Sequence, residues 1–285
     1  MSLSATSAVS ANRVDLRGLQ KKRIKVPYLG ALSYYIHKTP GLTEQAPAPV
    51  LVLLHGLGSQ PHSWIVNGDV INHIDKAVRS GVLPACWVVM PEGRSGYWSD
   101  WSDGKHPWGS WIHQHLLDAL TRAGMRGSNP ALTAVVGISM GGFGAMSLGL
   151  LRPDRIGFAA GLSATDLDIA TQKPPFRPVY RSVLGSPISS ERMRSVNPYQ
   201  LVRGGAGTAK QRYLLAWGDR EPPKFSVGSE RLVAAMRARK LNLSPMIVHQ
   251  GAHGWRTTWL VAQPWWLREL GAWWKIKAKQ PGKKR

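Results

Sequence analysis

A serine, a carboxylate and a histidine, far apart in the chain and each just past an apolar run, are the residues with the clearest capacity for chemistry. Ser139 sits in Gly137-Ile-Ser-Met-Gly141, after the β-branched run Thr133-Ala-Val-Val136 and before a helix-forming stretch. A hydroxyl is a weak nucleophile until a turn exposes it and a base takes its proton, and the two glycines permit the tight strand-to-helix turn that does the exposing. Downstream, Tyr213-Leu-Leu-Ala-Trp217 runs into Gly218-Asp219-Arg220-Glu221, and Met246-Ile-Val-His249 leads to Gly251-Ala-His253-Gly-Trp255. Upstream, Val50-Leu-Val-Leu-Leu54 runs into His55-Gly-Leu57-Gly58, a loop able to offer a backbone N–H to a developing oxyanion. In that arrangement Ser139 attacks an acyl carbonyl, His253 shuttles the proton, and Glu221 or Asp219 orients the imidazole.

Those residues need a scaffold that brings several strand ends to one edge. Apolar runs of strand length alternate with helical periodicity, which predicts an α/β fold with a mostly parallel central sheet and helices on both faces. Strands are predicted over 23–26, 32–38, 50–54, 86–90, 132–136, 158–162, 212–217 and 245–249. Helices are predicted over 70–79, 108–121, 140–151, 226–240 and 255–274. In the helix over 108–121, Trp111, His115, Leu116 and Ala119 fall at helical spacing. Residues 164–206 break the rhythm with five prolines, Pro174, Pro175, Pro178, Pro187 and Pro198, and read as a short cap excursion. The expected organisation is a disordered basic arm over 1–22, one domain over 23–275 and a basic tail over 276–285.

With 37 Lys and Arg against 16 Asp and Glu, the chain carries a net charge of +21. Part of the excess lies in the two ends, and part in Arg177, Arg181, Arg192, Arg194 and Arg203 between the serine and the acids. Such a field attracts anionic small molecules and, through the tails, membrane surfaces. No nucleic-acid-binding motif accompanies the charge, so no dedicated nucleic-acid partner is expected. The single cysteine, Cys86, lies in an apolar run and reads as a buried thiol. A secretory signal and an apolar span of membrane length are both absent from the sequence, so a cytoplasmic location is expected. His113 and His115 point to different faces of a helix and nothing at ligand spacing completes a site, so no metal is expected.

Thirteen tryptophans are a high count. Trp64, Tyr97, Trp98, Trp101, Trp108 and Phe143 lie on or beside loops that should surround Ser139, and are the candidate walls of an acyl or aryl pocket. Trp259, Trp265, Trp266, Trp273 and Trp274 are expected to pack the last helix onto the sheet.

Beyond the serine turn, Pro91-Glu-Gly-Arg-Ser-Gly-Tyr97-Trp-Ser-Asp100-Trp101, Leu184-Gly-Ser-Pro187 with Asn197-Pro198, and Gly251-Ala-His253-Gly-Trp255 with Trp259 resemble the esterase D-like branch of the α/β-hydrolases. That branch includes S-formylglutathione hydrolases, feruloyl and siderophore esterases and antigen 85 mycolyltransferases. The resemblance covers roughly residues 30–275. It implies the α/β-hydrolase fold, no cofactor, Ser139 as nucleophile, His253 as base, and backbone N–H donors on Leu57 and Met140. It favours Glu221, three residues past the strand-ending glycine, over Asp219. The expected activity is hydrolysis of a small or aryl carboxylic ester through an acyl-serine. The alternatives are acyl transfer to an alcohol or sugar by the same residues, and a degenerate hydrolase serving as a basic binding module.

Overall fold

The computed structural model describes residues 18–43, 47–175 and 177–278. One sheet of eight strands has the order β1-β2-β4-β3-β5-β6-β7-β8. The strands are Gln20–Val26 (β1), Gly30–Lys38 (β2), Val50–Leu54 (β3), Trp87–Pro91 (β4), Thr133–Ile138 (β5), Phe158–Leu162 (β6), Arg212–Gly218 (β7) and Leu243–Val248 (β8). β1 is antiparallel to β2 and β2 to β4, while every pairing from β4 through β8 is parallel.

The interior strands are buried on both sides, which is why they read as continuous apolar runs rather than alternating ones. Along β3 the side chains still alternate between two cores. Val50, Val52 and Leu54 face Trp98, Trp111, Phe143 and Leu148. Leu51 and Leu53 face Trp64, Ile74, Trp266 and Trp274. The helix Met140–Leu151 covers the first face and is buried along all but its last residue, because the excursion after β6 lies over it. Helices Val70–Arg79 and Leu260–Ala278 cover the second face.

Topology places the site. From β3 the chain moves to β4 on one side, then returns to β5 on the other, so the strand order reverses between β3 and β5. Open parallel sheets have a crevice at the carboxyl ends of the strands where the order reverses. Leu54 pairs with Gly137 at that edge, so the loop after β3 and the turn after β5 leave side by side.

Three sequence expectations change. The first strand reaches back to Gln20, pairing Gln20, Lys21 and Lys22 with Ile36, Tyr35 and Tyr34, so the arm expected to be disordered over 1–22 loses its last residues to the sheet; 1–17 lie outside the described residues. The helix expected over 108–121 has a π-helical middle, Trp111–Leu116, which brings Trp111, Ile112, Leu116 and Leu117 to the core and leaves His115 and Ala119 half-buried. The last helix begins with a π-helical turn, Trp255–Trp259, and runs to Ala278, so the first three residues of the expected tail 276–285 are helical, and 279–285 lie outside the described residues.

Candidate active site

Ser139 occupies the residue between β5 and the helix Met140–Leu151, at φ 56° and ψ −114°. A side-chain-bearing residue at positive φ costs on the order of 1–3 kcal/mol, and persists here because packing on both sides dictates the turn. A Cβ on Gly137 would stand 2.0 Å from the Gly141 carbonyl oxygen, and one on Gly141 would stand 2.1 Å from that of Leu54. Both positions therefore exclude any side chain. The same closeness brings the β3 loop against the serine: a Cβ on Gly56 would lie 3.5 Å from Ser139 Cβ.

His253, in the loop after β8, places Nε2 3.0 Å from Ser139 Oγ, and its Nδ1 faces Glu221 Oε2 at 3.4 Å. If Ser139 donates to Nε2, the proton on Nδ1 donates to the carboxylate, the tautomer a general base at Nε2 requires. The imidazole plane is held by the Phe225 ring, stacked at 3.8 Å and 16°, and by the edge of Trp259 at 5.1 Å. The Glu221 side chain is fully buried, and its other oxygen accepts from Ser163 Oγ at 2.7 Å and the Gly218 N–H at 3.2 Å. Ser163 in turn accepts from Trp259 Nε1 at 2.8 Å. Asp219 points elsewhere, its carboxylate meeting exposed His249 at 2.9 Å. Of the two candidate acids, Glu221 is the one that reaches His253.

Leu57 lines the cleft beside Ser139, and Met140 opens the following helix. Neither backbone N–H has a hydrogen-bond partner among the described residues, which leaves both available to an oxyanion. Below them His55 is fully buried, its Nδ1 donating to the Gly56 carbonyl at 2.8 Å and its Nε2 accepting the Gly93 N–H at 3.0 Å. Burial holds His55 down at about 4, so the ring is neutral and can accept that bond.

The cleft over Ser139 has a volume of about 410 Å³. Of the six aromatics expected to wall it, only Tyr97 does so. The others pack beneath it or away from it. Trp64, Trp98, Trp108 and Phe143 are buried, and Trp98 donates its indole N–H to the His55 carbonyl, bracing the β3 loop from below. Trp101 donates to the Gly96 carbonyl and lies against His106. Sequence proximity to the site loops could not separate a ring above the cleft from one under its floor. The walls instead include Tyr180, Phe225, Trp255 and Trp259, with Arg177 and Lys224 among the lining residues. Trp259, expected only to pack, both borders the cleft and hydrogen-bonds Ser163. Ser163 was legible as the residue just past a predicted strand, whereas Arg177 and Tyr180 arrive from the cap and carried no positional signal.

The family described as "Putative esterase" matches residues 33–278. The chain is 34% identical over 107 residues to the MPT51/MPB51 antigen of Mycobacterium tuberculosis, covering 37% of this chain and 33% of that protein. It is 32% identical over 130 residues to the diacylglycerol acyltransferase/mycolyltransferase Ag85A of Mycobacterium gordonae, covering 42% of this chain and 36% of that one. The alignments thus span about a third of the length of these curated relatives. Among solved structures, an S-formylglutathione hydrolase from Agrobacterium tumefaciens superposes with a TM-score of 0.73 at 16% identity, over 89% of this chain and 95% of its own, a likeness of fold. Since the family match runs from β2 to the end of the last helix and takes in every strand that delivers a site residue, this chain, in its α/β-hydrolase fold, belongs to that esterase family.

Proposed function

We propose that the protein hydrolyses carboxylic esters through an acyl-serine intermediate. The observation that carries this reading is the continuous contact line from Ser139 Oγ through His253 to buried Glu221, opening on a cleft beside two unpaired backbone N–H groups. His253 takes the hydroxyl proton as Ser139 attacks the ester carbonyl. The new oxyanion is received by the Leu57 and Met140 amides, each such donor contributing about 3 kcal/mol in the transition state. His253 then protonates the departing alkoxide and afterwards activates the water that cleaves the acyl-serine. Glu221 fixes the imidazole tautomer and stabilises its cationic form.

The test is intact mass after treatment with a fluorophosphonate probe. One adduct on the wild type, none on Ser139→Ala, and turnover of a short aryl ester lost in the same variant are the expected outcome. A folded wild type that neither labels nor turns over the ester would overturn the reading in favour of a binding role.

A second reading, acyl transfer, draws on the likeness to an acyltransferase/mycolyltransferase over part of the chain. It predicts that an added alcohol or sugar raises acyl-serine breakdown and appears as acylated product in excess of hydrolysis.

A further inference from the structure

Ester hydrolysis does not account for the cations on the wall of the cleft. Arg177 and Lys224 both line the space above Ser139, and among the described residues no carboxylate does; Glu221 lies behind His253 with its side chain fully buried. Among the described residues, neither Arg177 nor Lys224 forms an ion pair. This differs from the neighbouring Arg231, which is spent on Asp166 and Asp168.

Backbone contacts fix where each cation leaves the chain. Lys224 follows Pro222-Pro223, and its carbonyl accepts the Asp166 N–H at 2.8 Å. Its ammonium lies 5.1 Å from the centre of the Phe225 ring, the ring that stacks on His253, so the charge stands beside the proton-transfer machinery. Arg177 stands at the N-cap position of the short helix Pro178–Leu184, its carbonyl accepting the Tyr180 N–H at 3.0 Å, and Tyr180 also faces the cleft. Partial burial, with a smaller contribution from Arg177, lowers the Lys224 ammonium below its usual range. Two like charges converging on one half-enclosed space are mutually unfavourable, and an anion between them relieves that. Apart from Ser139, His253, Ser59 and Thr165, the rest of the lining is apolar or aromatic, with Tyr97, Tyr180, Phe225, Trp255 and Trp259 its rings.

We infer that Arg177 and Lys224 form an anion subsite, and that the preferred substrates are esters carrying a carboxylate or phosphate a few atoms from the scissile carbonyl. This rests on the esterase reading and specifies its substrate class. The anionic group belongs either to the acyl chain or to the leaving group, and each case has its own pair of probes.

For the acyl side, the para-nitrophenyl half-ester of adipic acid is compared with the same compound methylated at its free carboxylate. For the leaving-group side, the acetyl ester of para-hydroxyphenylpropanoate is compared with its methyl ester, following acetate release. In the wild type, kcat/KM is expected to favour the anionic member of at least one pair by about tenfold, equivalent to about 1.4 kcal/mol. The pair that shows it identifies the side of the ester that carries the charge. In Arg177→Gln/Lys224→Gln that ratio should fall to near one, and in Lys224→Glu it should drop below one. Arg177→Gln alone serves if the double variant does not fold, since that side chain is exposed. Neutral esters turned over with no anionic preference in either pair would overturn the subsite and leave the esterase reading standing. A preference that survives the double variant would assign it to the overall charge of +21, and would equally overturn the subsite. No turnover of any of the four probes by protein that still takes the fluorophosphonate label would overturn the subsite alone, and no turnover together with no label would remove the esterase reading and this one with it.

Discussion

Glu221 and Asp219 are two residues apart, and the geometry separates them completely. One is buried and faces His253, while the other is at the surface beside His249. Glu221→Gln is therefore expected to lower kcat by roughly 10²–10⁴-fold, since an amide favours the wrong imidazole tautomer, and Asp219→Asn to change it less than about threefold. Steady-state kinetics on an aryl ester decide this, and equal losses in the two variants would contradict the assignment. Ser163 is not among the cleft-lining residues but links Trp259 to the carboxylate, and the proposed mechanism makes it a positioning residue. Ser163→Ala should reduce kcat about tenfold with KM little changed, and Ser163→Thr, which keeps the hydroxyl, should recover most of it. A loss in both variants alike, or a rise in KM alone, would point to packing instead.

The turn between β5 and its helix depends on contacts in which backbone meets backbone. Because the groups that a Cβ would strike at Gly137 and Gly141 are carbonyl oxygens of Gly141 and Leu54, no side-chain rotation can make room. Gly141→Ala should thus cost about 3 kcal/mol or more, or prevent folding, as read by urea unfolding. A cost under about 1 kcal/mol would show that the β3 and β5 ends can move apart. The cap is fastened by a different device. Asp166 accepts from Asn197 Nδ2 and the Asp168 N–H, both at 2.9 Å, while Arg231 reaches Asp166 at 3.2 Å and Asp168 at 3.0 Å. That knot joins the excursion after β6 to the helix Ser226–Ala238, and the Asp166 N–H, donating to the Lys224 carbonyl, ties Lys224 to it.

At the scale of the molecule, burial makes stability depend on acid. His55 and His113 are both lowered to about 4, chiefly by burial, and for His113 also by Arg152. In the unfolded chain a histidine binds its proton near 6.5, so between about 4 and 6.5 the unfolded state holds more protons than the folded one and stability rises with pH. The contribution is complete above about 6.5 and is lost as pH falls towards 4, on the order of 3 kcal/mol for fully buried His55. Urea unfolding at pH 7 and 4.5 should show that slope, and it should be shallower in His55→Asn; an unchanged slope would show that His55 is protonated in the fold. Burial also pushes the Cys86 thiol up to about 12, so alkylation by iodoacetamide at pH 8 should await unfolding. Rapid labelling of the native protein would contradict that.

Local pattern determined much of this protein. Buried parallel strands announce themselves as apolar runs, a Gly-x-Ser-x-Gly turn needs its glycines for steric reasons, and the order serine, acid, histidine can be read along the chain. Hence seven of the eight strands begin within two residues of where the apolar runs predict them, and β1 alone starts three residues earlier, since Gln20, Lys21 and Lys22 on an edge strand show no apolar run. What only the tertiary structure decided depends on which side of a loop a side chain takes. It turned Glu221 inward and Asp219 outward, buried Trp64, Trp98, Trp108 and Phe143 in the cores instead of on the cleft wall, and brought Arg177 and Lys224 to one wall from opposite sides of β7 in the sequence. The physical reason is that periodicity encodes burial along an element, whereas a loop residue's direction is set by contacts with segments remote in the chain.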